Sequence, residues 1–254
     1  DALPGERDLA LGQSCIDVGF HLGITHRLHV ETLVECAKAF GITSCKLYLQ
    51  YKGQAGLSKG FTEIDDGLLY HAMLETLKVP GGVLGVHCEN VEVIPVLRDP
   101  LRRAGRADLA AWDAQSPDFL EAENVHKVCY FSDKTGCPVN VVHLSSREAL
   151  EEQVALARER GWKLHLDGAR LWESAPFYGC EVDRLASLFD TVYVSFYKGL
   201  GGIAGALLAG PKSFIDEARV WLRRVGGNLI RLYPYVISAR AGLQKRGDRF
   251  ARYT

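Results

Sequence analysis

Three basic side chains end or interrupt short apolar segments in the first half of the chain. Lys46 lies within ITSCKLYLQY, while His87 and His143 close LGVH and VNVVH. A lysine inside an apolar strand is costly unless its charge is removed or paired, and a neutral amine can be carboxylated to a metal-binding carbamate. Imidazole nitrogens bind Zn²⁺ and related ions. The three side chains therefore predict a metal site at the carboxyl ends of parallel strands.

A different pair of residues could do chemistry in the second half. Asp167 ends the strand-like segment WKLHLD, and Lys198 follows the strand-like segment TVYVSFY. Pyridoxal phosphate needs a lysine for attachment of its aldehyde and an anion beside its ring nitrogen. The glycines that follow Lys198 would allow the backbone to approach a ligand closely. This pair therefore predicts a pyridoxal-phosphate site.

Each of these residues also has a simpler structural explanation. A histidine at a strand end is often only a hydrogen-bonded structural residue, and an Asp-Gly pair is often only a turn. A lysine before glycine is usually solvated. His21, His26 and His29, spaced H-x4-H-x2-H, are interpreted as surface or structural residues. The chemical interpretation depends on the sequence around each candidate.

The composition is typical of a soluble globular protein. Of the 254 residues, 47% are hydrophobic and 24% charged, and the formal net charge of −1 predicts no binding to nucleic acid or membranes. Seven cysteines without a C-x-x-C pair predict reduced thiols and a cytoplasmic location. The segment DALPGERDLA does not start with Met and is interpreted as an internal start.

Apolar periodicity alternates between strand-like and helical segments, which predicts an α/β protein built from βα units. Strands are expected near 14–20, 42–49, 82–88, 138–143, 163–167, 190–196 and 203–209. Helices are expected near 27–40, 65–78, 119–135, 146–160, 182–188, 212–225 and 229–243. The Gly- and Lys-rich segment 52–62 predicts a binding loop.

The boundary between two domains is expected inside the helix at 150–162. It would divide the chain into 1–153 and 154–254. A single merged open sheet with helices on both sides is the expected compact arrangement.

The first half resembles the dihydropyrimidinase and hydantoinase branch of the cyclic amidohydrolases over residues 12–155. The matching segments are IDVGFHLGIT, GITSCKLYLQYKG, LGVHCEN, PDFLEAENVHK and TGCPVNVVHLSSREAL. The resemblance implies part of a (β/α) barrel that hydrolyses cyclic amides with divalent metal, zinc being the first candidate. Lys46 would be the carboxylated bridging ligand, with His87 and His143 as further metal ligands. Tyr51 would be catalytic and would polarise the substrate amide.

The second half resembles the low-specificity threonine aldolases, within the β-eliminating lyases, over residues 155–254. The matching segments are HLDGARLWESAPFYG, DTVYVSFYKGLGGIAGALLAG and FIDEARVWLRRVGGNLIRLYPYVISARAGL. The resemblance implies part of the large domain of an aspartate aminotransferase-like, fold type I enzyme. Lys198 would attach pyridoxal phosphate, Asp167 would pair with its ring nitrogen, and Arg170 would hold a substrate carboxylate. The implied reaction is retro-aldol cleavage of β-hydroxy-α-amino acids.

Both resemblances are incomplete. The H-x-H pair and the terminal aspartate ligand of the amidohydrolases have no counterpart in the matching text. The phosphate-binding loop and ring-stacking histidine of the aldolases also have none. We therefore expect both cofactor sites to lack some of their ligands.

Three functional hypotheses follow. The favoured one is a chimera of two enzyme fragments, produced by sequence assembly or recombination and having little native activity. The alternatives are a working enzyme that uses one half, completed by another chain, and a non-catalytic α/β interaction module. The expected partner is a small-molecule substrate, and exposed sheet edges predict homo-oligomers or aggregation.

Overall fold

A computed structural model describes residues 3–15 and 18–252. Contacts divide the chain into two compact units, Asp1–Gln153 and Val154–Thr254, which we call unit 1 and unit 2. The helices of unit 1 are α1 Leu3–Gln13, α2 Arg27–Glu31, α3 Leu33–Phe40, α4 Gly53–Leu57, α5 Asp66–Thr76, α6 Ile94–Arg103, α7 Leu109–Ala114 and α8 Phe119–Thr135. Helix α9 Arg147–Arg160 contains the boundary between the units. The helices of unit 2 are α10 Leu171–Tyr178, α11 Val182–Ala186, α12 Lys212–Arg224 and α13 Tyr233–Arg246.

The strands form two separate sheets. Those of unit 1 are β1 Leu22–Ile24, β2 Ser44–Tyr48, β3 Val83–His87 and β4 Val139–Val142. Those of unit 2 are β5 His165–Gly168, β6 Thr191–Ser195 and β7 Ala206–Ala209. Two 3₁₀ helices follow β2 and α13, at Leu49–Tyr51 and Gly247–Arg252. No helix in the described part of the chain has the length and apolar character of a membrane span.

The sheet of unit 1 is wholly parallel, with strand order β1-β2-β3-β4. On one face, Cys45 pairs with Leu84 and Leu47 with Val86, and all four side chains are buried. Helix α5 packs against β2 and β3. Because side chains alternate along a strand, the residues between these pairs point to the opposite face. That opposite face carries the candidate metal ligand Lys46.

Helix α5 begins at a well-defined cap. The carboxylate of Asp65 accepts a hydrogen bond of 2.7 Å from the Leu68 backbone N–H, as N-cap residues commonly do. The helix then buries Leu68, Leu69 and Met73 completely. It therefore supplies much of the apolar core of unit 1.

Helix α9 begins against two carboxylates of α8. Oε2 of Glu121 accepts hydrogen bonds from the backbone N–H groups of Ser145 (2.9 Å) and Ser146 (2.6 Å) and from the Ser145 hydroxyl (3.1 Å). The Asp118 carboxylate accepts from the Arg147 N–H at 3.0 Å. Negative charge at a helix N-terminus is stabilising. A contact between distant parts of the sequence therefore fixes where α9 starts.

Unit 2 contains a mixed sheet of order β5-β6-β7. Strands β5 and β6 are parallel, whereas β7 is antiparallel to β6. Asp167 pairs with Tyr193, so both side chains are on one face. Val192 and Val194 are on the other face and are buried. The candidate cofactor ligand Asp167 is thus on the face opposite these valines.

The expected merged sheet is wrong. Strands β4 and β5 are joined by α9 but are not hydrogen-bonded neighbours. The strand expected at 14–20 is also wrong in its described part, because the first strand begins at Leu22. Residues 16 and 17 of that segment lie outside the described residues. The other strands and helices predicted from periodicity are confirmed, with shifts of a few residues and a break between α2 and α3.

Several helices were not predicted from the sequence. They are α1, α4, α6, α7 and α10. Helix α4 occupies part of the segment expected to be a loop, and both α6 and α10 contain an internal proline. Proline disfavours the helix interior, which weakens the periodic signal of such segments.

All seven cysteines are free thiols, as predicted. Cys45, Cys88, Cys129 and Cys137 are buried in unit 1. Burial raises the pKa of Cys45, Cys129 and Cys137 to about 11, and that of Cys88 further. These thiols are therefore part of the apolar core.

The substitution Glu121→Ala should destabilise unit 1 by about 1–3 kcal/mol, because three donors at the start of α9 lose their acceptor. Urea unfolding followed by circular dichroism measures this change. The control Glu151→Ala removes an exposed carboxylate of α9 and should cost less than about 0.5 kcal/mol. Equal losses in the two variants would contradict the capping role of Glu121.

Candidate functional site

Lys46 is the central residue of the candidate metal site in unit 1. Its Nζ is buried and has no hydrogen-bond partner among the described residues. Desolvation lowers the pKa of Lys46 to about 8, so a minor but appreciable share of the side chain is neutral near physiological pH. A neutral buried amine is the form that reacts with carbon dioxide. The environment of Lys46 therefore suits a carbamate ligand.

The absence of a side chain at Gly85 makes room for Lys46. Gly85 pairs with Lys46 across β2 and β3, and a Cβ built on Gly85 would lie 3.5 Å from Cδ of Lys46 and 3.3 Å from the Cys45 carbonyl oxygen. A side chain longer than that of alanine would crowd the lysine. The register of the two strands and the glycine together place the amine on the sheet.

His143 reaches the same face through an unusual backbone conformation. Val142 pairs with His87 across β3 and β4, so a regular continuation of β4 would turn His143 to the opposite face. His143 instead adopts φ 56°, in the left-handed region. Its ring centroid lies 5.7 Å from that of His87. The conformation costs of order 1 kcal/mol and brings two imidazoles together.

Lys46, His87 and His143 form one electrostatic cluster. Burial lowers the pKa of His143, and the positive charges of Lys46 and His87 lower it further. No group of three His, Cys, Asp or Glu side chains that could hold a metal occurs in the described ranges. A metal here would depend on the carboxylated lysine as its third protein ligand. The residues fit a single ion of the zinc type, which needs three protein ligands and an open position.

Glu89 was missed from the sequence although it lies beside the cluster. Its Oε2 lies 3.8 Å from Nε2 of His87, and its Oε1 accepts a hydrogen bond of 2.7 Å from the Ser116 hydroxyl. The neighbouring His87 ring is the largest cause of the lowered pKa of Glu89. A carboxylate that orients a ligand histidine is common at metal sites. The position two residues after His87 was the only sequence signal.

Tyr51 ends the 3₁₀ helix that follows β2. Its ring packs on Phe61 at 4.3 Å between centroids, and Nζ of Lys59 lies 4.6 Å from its centroid. Hydrogen bonding to Gln50 is the largest cause of a lowered Tyr51 pKa, and Lys59 lowers it further. Tyr48 connects Tyr51 with Lys46: its ring centroid lies 5.7 Å from that of Tyr51 and 5.0 Å from Nζ of Lys46. The Tyr51 ring is thus joined to Lys46 through one aromatic neighbour.

The three histidines nearest the N-terminus, His21, His26 and His29, have structural contacts. His21 Nδ1 lies 2.7 Å from the Ser44 hydroxyl, and His29 Nδ1 lies 3.3 Å from the Thr25 backbone nitrogen. The rings of His26 and His29 stack at 3.8 Å. These contacts agree with the interpretation that these histidines are surface or structural residues.

In unit 2, Asp167 lies next to two phenols. It is exposed, and its Oδ1 accepts a hydrogen bond of 3.2 Å from the Ala169 N–H. The hydroxyls of Tyr193 and Tyr197 lie 3.4 Å apart. The bond to Tyr197 raises the pKa of Tyr193 to about 12, and the negative charge of Asp167 contributes. The Asp167 side chain is accessible, as a partner for a pyridine nitrogen must be.

Lys198 lies in a tight turn after β6. The Lys198 carbonyl accepts from the Gly201 N–H at 2.9 Å, and the Phe196 carbonyl accepts from the Gly202 N–H at 2.7 Å. Its side chain is exposed, with Nζ 6.0 Å from the Tyr197 ring centroid. Lys198 and Asp167 are therefore both near the carboxyl ends of adjacent parallel strands. These two residues fit the aldehyde and ring nitrogen of pyridoxal phosphate.

Arg170 lies just before α10 and is 68% exposed. Its Nη1 donates to Oε1 of Glu173 at 3.3 Å. The rest of the guanidinium is open to solvent, as binding of a substrate carboxylate requires.

A separate apolar cavity of about 480 Å³ occurs in unit 2. Its walls include Val192, Val194 and Leu207, on the sheet face opposite Asp167. It is therefore distinct from the candidate cofactor residues.

Comparisons with known proteins give different relatives for the N-terminal and the C-terminal regions of the chain. The chain is 32% identical over 154 residues to the D-hydantoinase of Geobacillus stearothermophilus, covering 60% of this chain and 31% of that protein. It is 30% identical over 148 residues to the allantoinase of Bacillus licheniformis, covering 58% and 32%. The chain thus spans about a third of the length of these two relatives. Both similarities lie in the N-terminal region.

Solved structures include members of both classes. The D-hydantoinase of Bacillus sp. AR9 matches with a TM-score of 0.55 and 26% identity, covering 72% of this chain and 37% of that chain. A candidate L-allo-threonine aldolase of Listeria monocytogenes EGD-E matches with a TM-score of 0.40 and 32% identity, covering 63% and 52%. The β-eliminating lyase family matches residues 141–249. The predicted two-part composition is confirmed: hydantoinase and allantoinase similarity in the N-terminal region precedes the match to the β-eliminating lyase family.

The substitution Lys46→Met should stabilise unit 1 at pH 7 by about 1 kcal/mol, because it removes a buried amine that is charged at this pH. In the folded chain the Lys46 pKa is about 8, against an ordinary value of 10.5. Between about pH 8 and pH 10.5 the unfolded state therefore binds more protons than the folded state. Over this range the stability of the unsubstituted chain rises relative to that of Lys46→Met. Urea unfolding at pH 7 and pH 10 measures the difference.

The matched control is Lys38→Met, which changes an exposed lysine on α3. It should alter stability equally at both pH values. A Lys46→Met variant that is less stable at pH 7 and shows no pH-dependent difference would contradict the buried-amine interpretation.

Proposed function

We propose that the chain joins partial sites of two enzyme classes, and that each site retains binding without efficient turnover. The N-terminal site would bind one divalent metal and a cyclic amide or ureide. The C-terminal site would bind pyridoxal phosphate and an α-amino acid. The observation that carries the proposal is the buried, unpartnered amine of Lys46 beside the paired rings of His87 and His143.

The N-terminal residues have complementary roles in this proposal. Lys46, His87 and His143 would hold the ion, and Glu89 would orient His87 through its second nitrogen. A bound ion supplies Lewis acidity and lowers the pKa of water. Tyr51, whose own pKa is lowered, would donate a hydrogen bond to the substrate carbonyl. The described residues offer three ligands for one ion and none for the second ion of a two-metal site, so turnover should be slow.

The C-terminal residues support a second candidate function because Asp167 and Lys198 follow adjacent parallel strands. Lys198 would attach pyridoxal phosphate, and Asp167 would stabilise a proton on its ring nitrogen. The cofactor supplies an electron sink for cleavage next to the α-carbon. Arg170 would receive the carboxylate of an amino acid.

Metal binding tests the first site. In bicarbonate buffer at pH 8.5, the chain should bind about one Co²⁺, followed by its visible absorbance. The variants Lys46→Met and His143→Gly should each lose affinity at least about tenfold. Glycine adopts φ 56° without strain, so His143→Gly should keep the stability of unit 1.

The control for metal binding is His126→Ala, which changes an exposed histidine outside the cluster and should leave Co²⁺ affinity unchanged. Equal binding by all four proteins would refute the metal site. Rapid hydrolysis of hydantoin by the loaded chain would instead favour the working-enzyme alternative over the low-turnover proposal.

Cofactor titration tests the second site. Addition of pyridoxal phosphate should give the absorbance of lysine-attached cofactor, and Lys198→Ala should abolish it. Asp167→Asn should weaken binding by about tenfold, because the ring nitrogen loses its anionic partner. Lys212→Ala, on exposed α12, is the control and should bind normally. An identical spectrum in Lys198→Ala would show attachment elsewhere and would refute the assignment.

A further inference from the structure

Glu173 is a buried carboxylate with an unexplained oxygen. It lies on α10, its side chain is only 14% exposed, and its Oε2 has no hydrogen-bond partner among the described residues. A buried acceptor without a donor costs about 1–3 kcal/mol, so such groups are rare unless they serve a purpose. The surroundings of Glu173 indicate what that purpose is.

The first contact of Glu173 is with Arg170. Its Oε1 accepts a hydrogen bond of 3.3 Å from Nη1 of Arg170, which precedes it by one helical turn. The acceptor is buried whereas the guanidinium is 68% exposed. A fixed anion therefore holds one nitrogen of a side chain that otherwise points into solvent. The remaining donors of the guanidinium fork are left for another partner.

The second contact of Glu173 is with the turn that carries Lys198. A Cβ built on Gly199 would overlap Oε1 of Glu173 and would lie 2.6 Å from its Cδ. The same Cβ would lie 3.0 Å from Cε1 of Phe250, which is itself buried. The carboxylate thus packs directly on the backbone next to Lys198. Glycine at position 199 is needed for this approach.

We propose that Glu173 is a positioning residue for recognition of an amino acid's α-carboxylate. This inference rests on the proposed pyridoxal-phosphate site. Glu173 contacts both the Arg170 guanidinium and the Lys198 turn, so that an amino acid bound at pyridoxal phosphate in this site would present its carboxylate to Arg170. The unpartnered Oε2 can accept a second guanidinium N–H, which would make the pair bidentate when a carboxylate draws Arg170 inward.

The test compares two ligands that differ in one charge. Glycine and glycine methyl ester are titrated into the full chain loaded with pyridoxal phosphate, and binding is followed by absorbance. The variant Glu173→Gln should weaken glycine binding by about tenfold and change ester binding by less than about twofold, because only glycine carries the carboxylate. Glu181→Gln, an exposed residue before α11, is the matched control and should change neither affinity.

A purely structural role for Glu173 predicts a different result. Both ligands would then lose affinity equally in Glu173→Gln, and that outcome would overturn the proposal. The variant Gly199→Ala provides a second perturbation, because its methyl group must displace the Glu173 carboxylate. It should reproduce the selective loss of glycine binding, and an unselective loss would count against the proposal.

A measurement on the chain without cofactor separates this inference from the proposed function. Exchange of the Nη protons of Arg170, followed by NMR, should be at least about threefold faster in Glu173→Gln than in the unsubstituted chain, since Nη1 loses its acceptor. Failure to take up pyridoxal phosphate would refute the proposed function alone. Unchanged exchange at Arg170 would refute the positioning role, whether or not the cofactor binds.

Discussion

The candidate chemistry of this chain depends on glycines at which a neighbouring strand approaches closely. Gly85 pairs with Lys46, and a Cβ there would lie 3.5 Å from Cδ of the lysine and 3.3 Å from the Cys45 carbonyl oxygen. Gly168, at the end of β5, lies so near the Tyr193 carbonyl that a Cβ there would be 2.5 Å from the oxygen. In both units, close backbone approach determines which polar groups meet at the carboxyl edge of the sheet.

The two units use burial in opposite ways. In unit 1 the Nζ of Lys46 is buried, and desolvation lowers its pKa. In unit 2 Lys198 and Asp167 are exposed, and the enclosed ionisable group is Glu173 behind them. A buried amine suits a covalent change that makes it a ligand, whereas an exposed amine suits attachment of a diffusing cofactor. In the proposed function, the same residue type would therefore have two chemical uses.

Much of the fold and the candidate residues could be predicted because they depend on local patterns. Apolar alternation located β2, β3, β4 and β6, and the candidate ligands lie within these strands or shortly after them. The pairing of strands could not be predicted, since periodicity does not specify neighbours. The left-handed backbone conformation of His143 could not be predicted from the sequence either, because regular alternation would place its ring on the other face of the sheet. Glu89 and Glu173 contact their partners through loops and turns that carry no periodic signal.

The four buried thiols of unit 1 have a consequence for chemical reactivity. The thiolate is the form that oxidants and alkylating reagents attack, and burial raises the pKa of every one of these cysteines. A closed unit 1 is therefore protected from modification, whereas a transient opening exposes several thiols together. The rate at which these thiols are alkylated therefore reports how often unit 1 opens, and its measurement requires no ligand. Irreversible oxidation would consequently mark the molecules that had already opened.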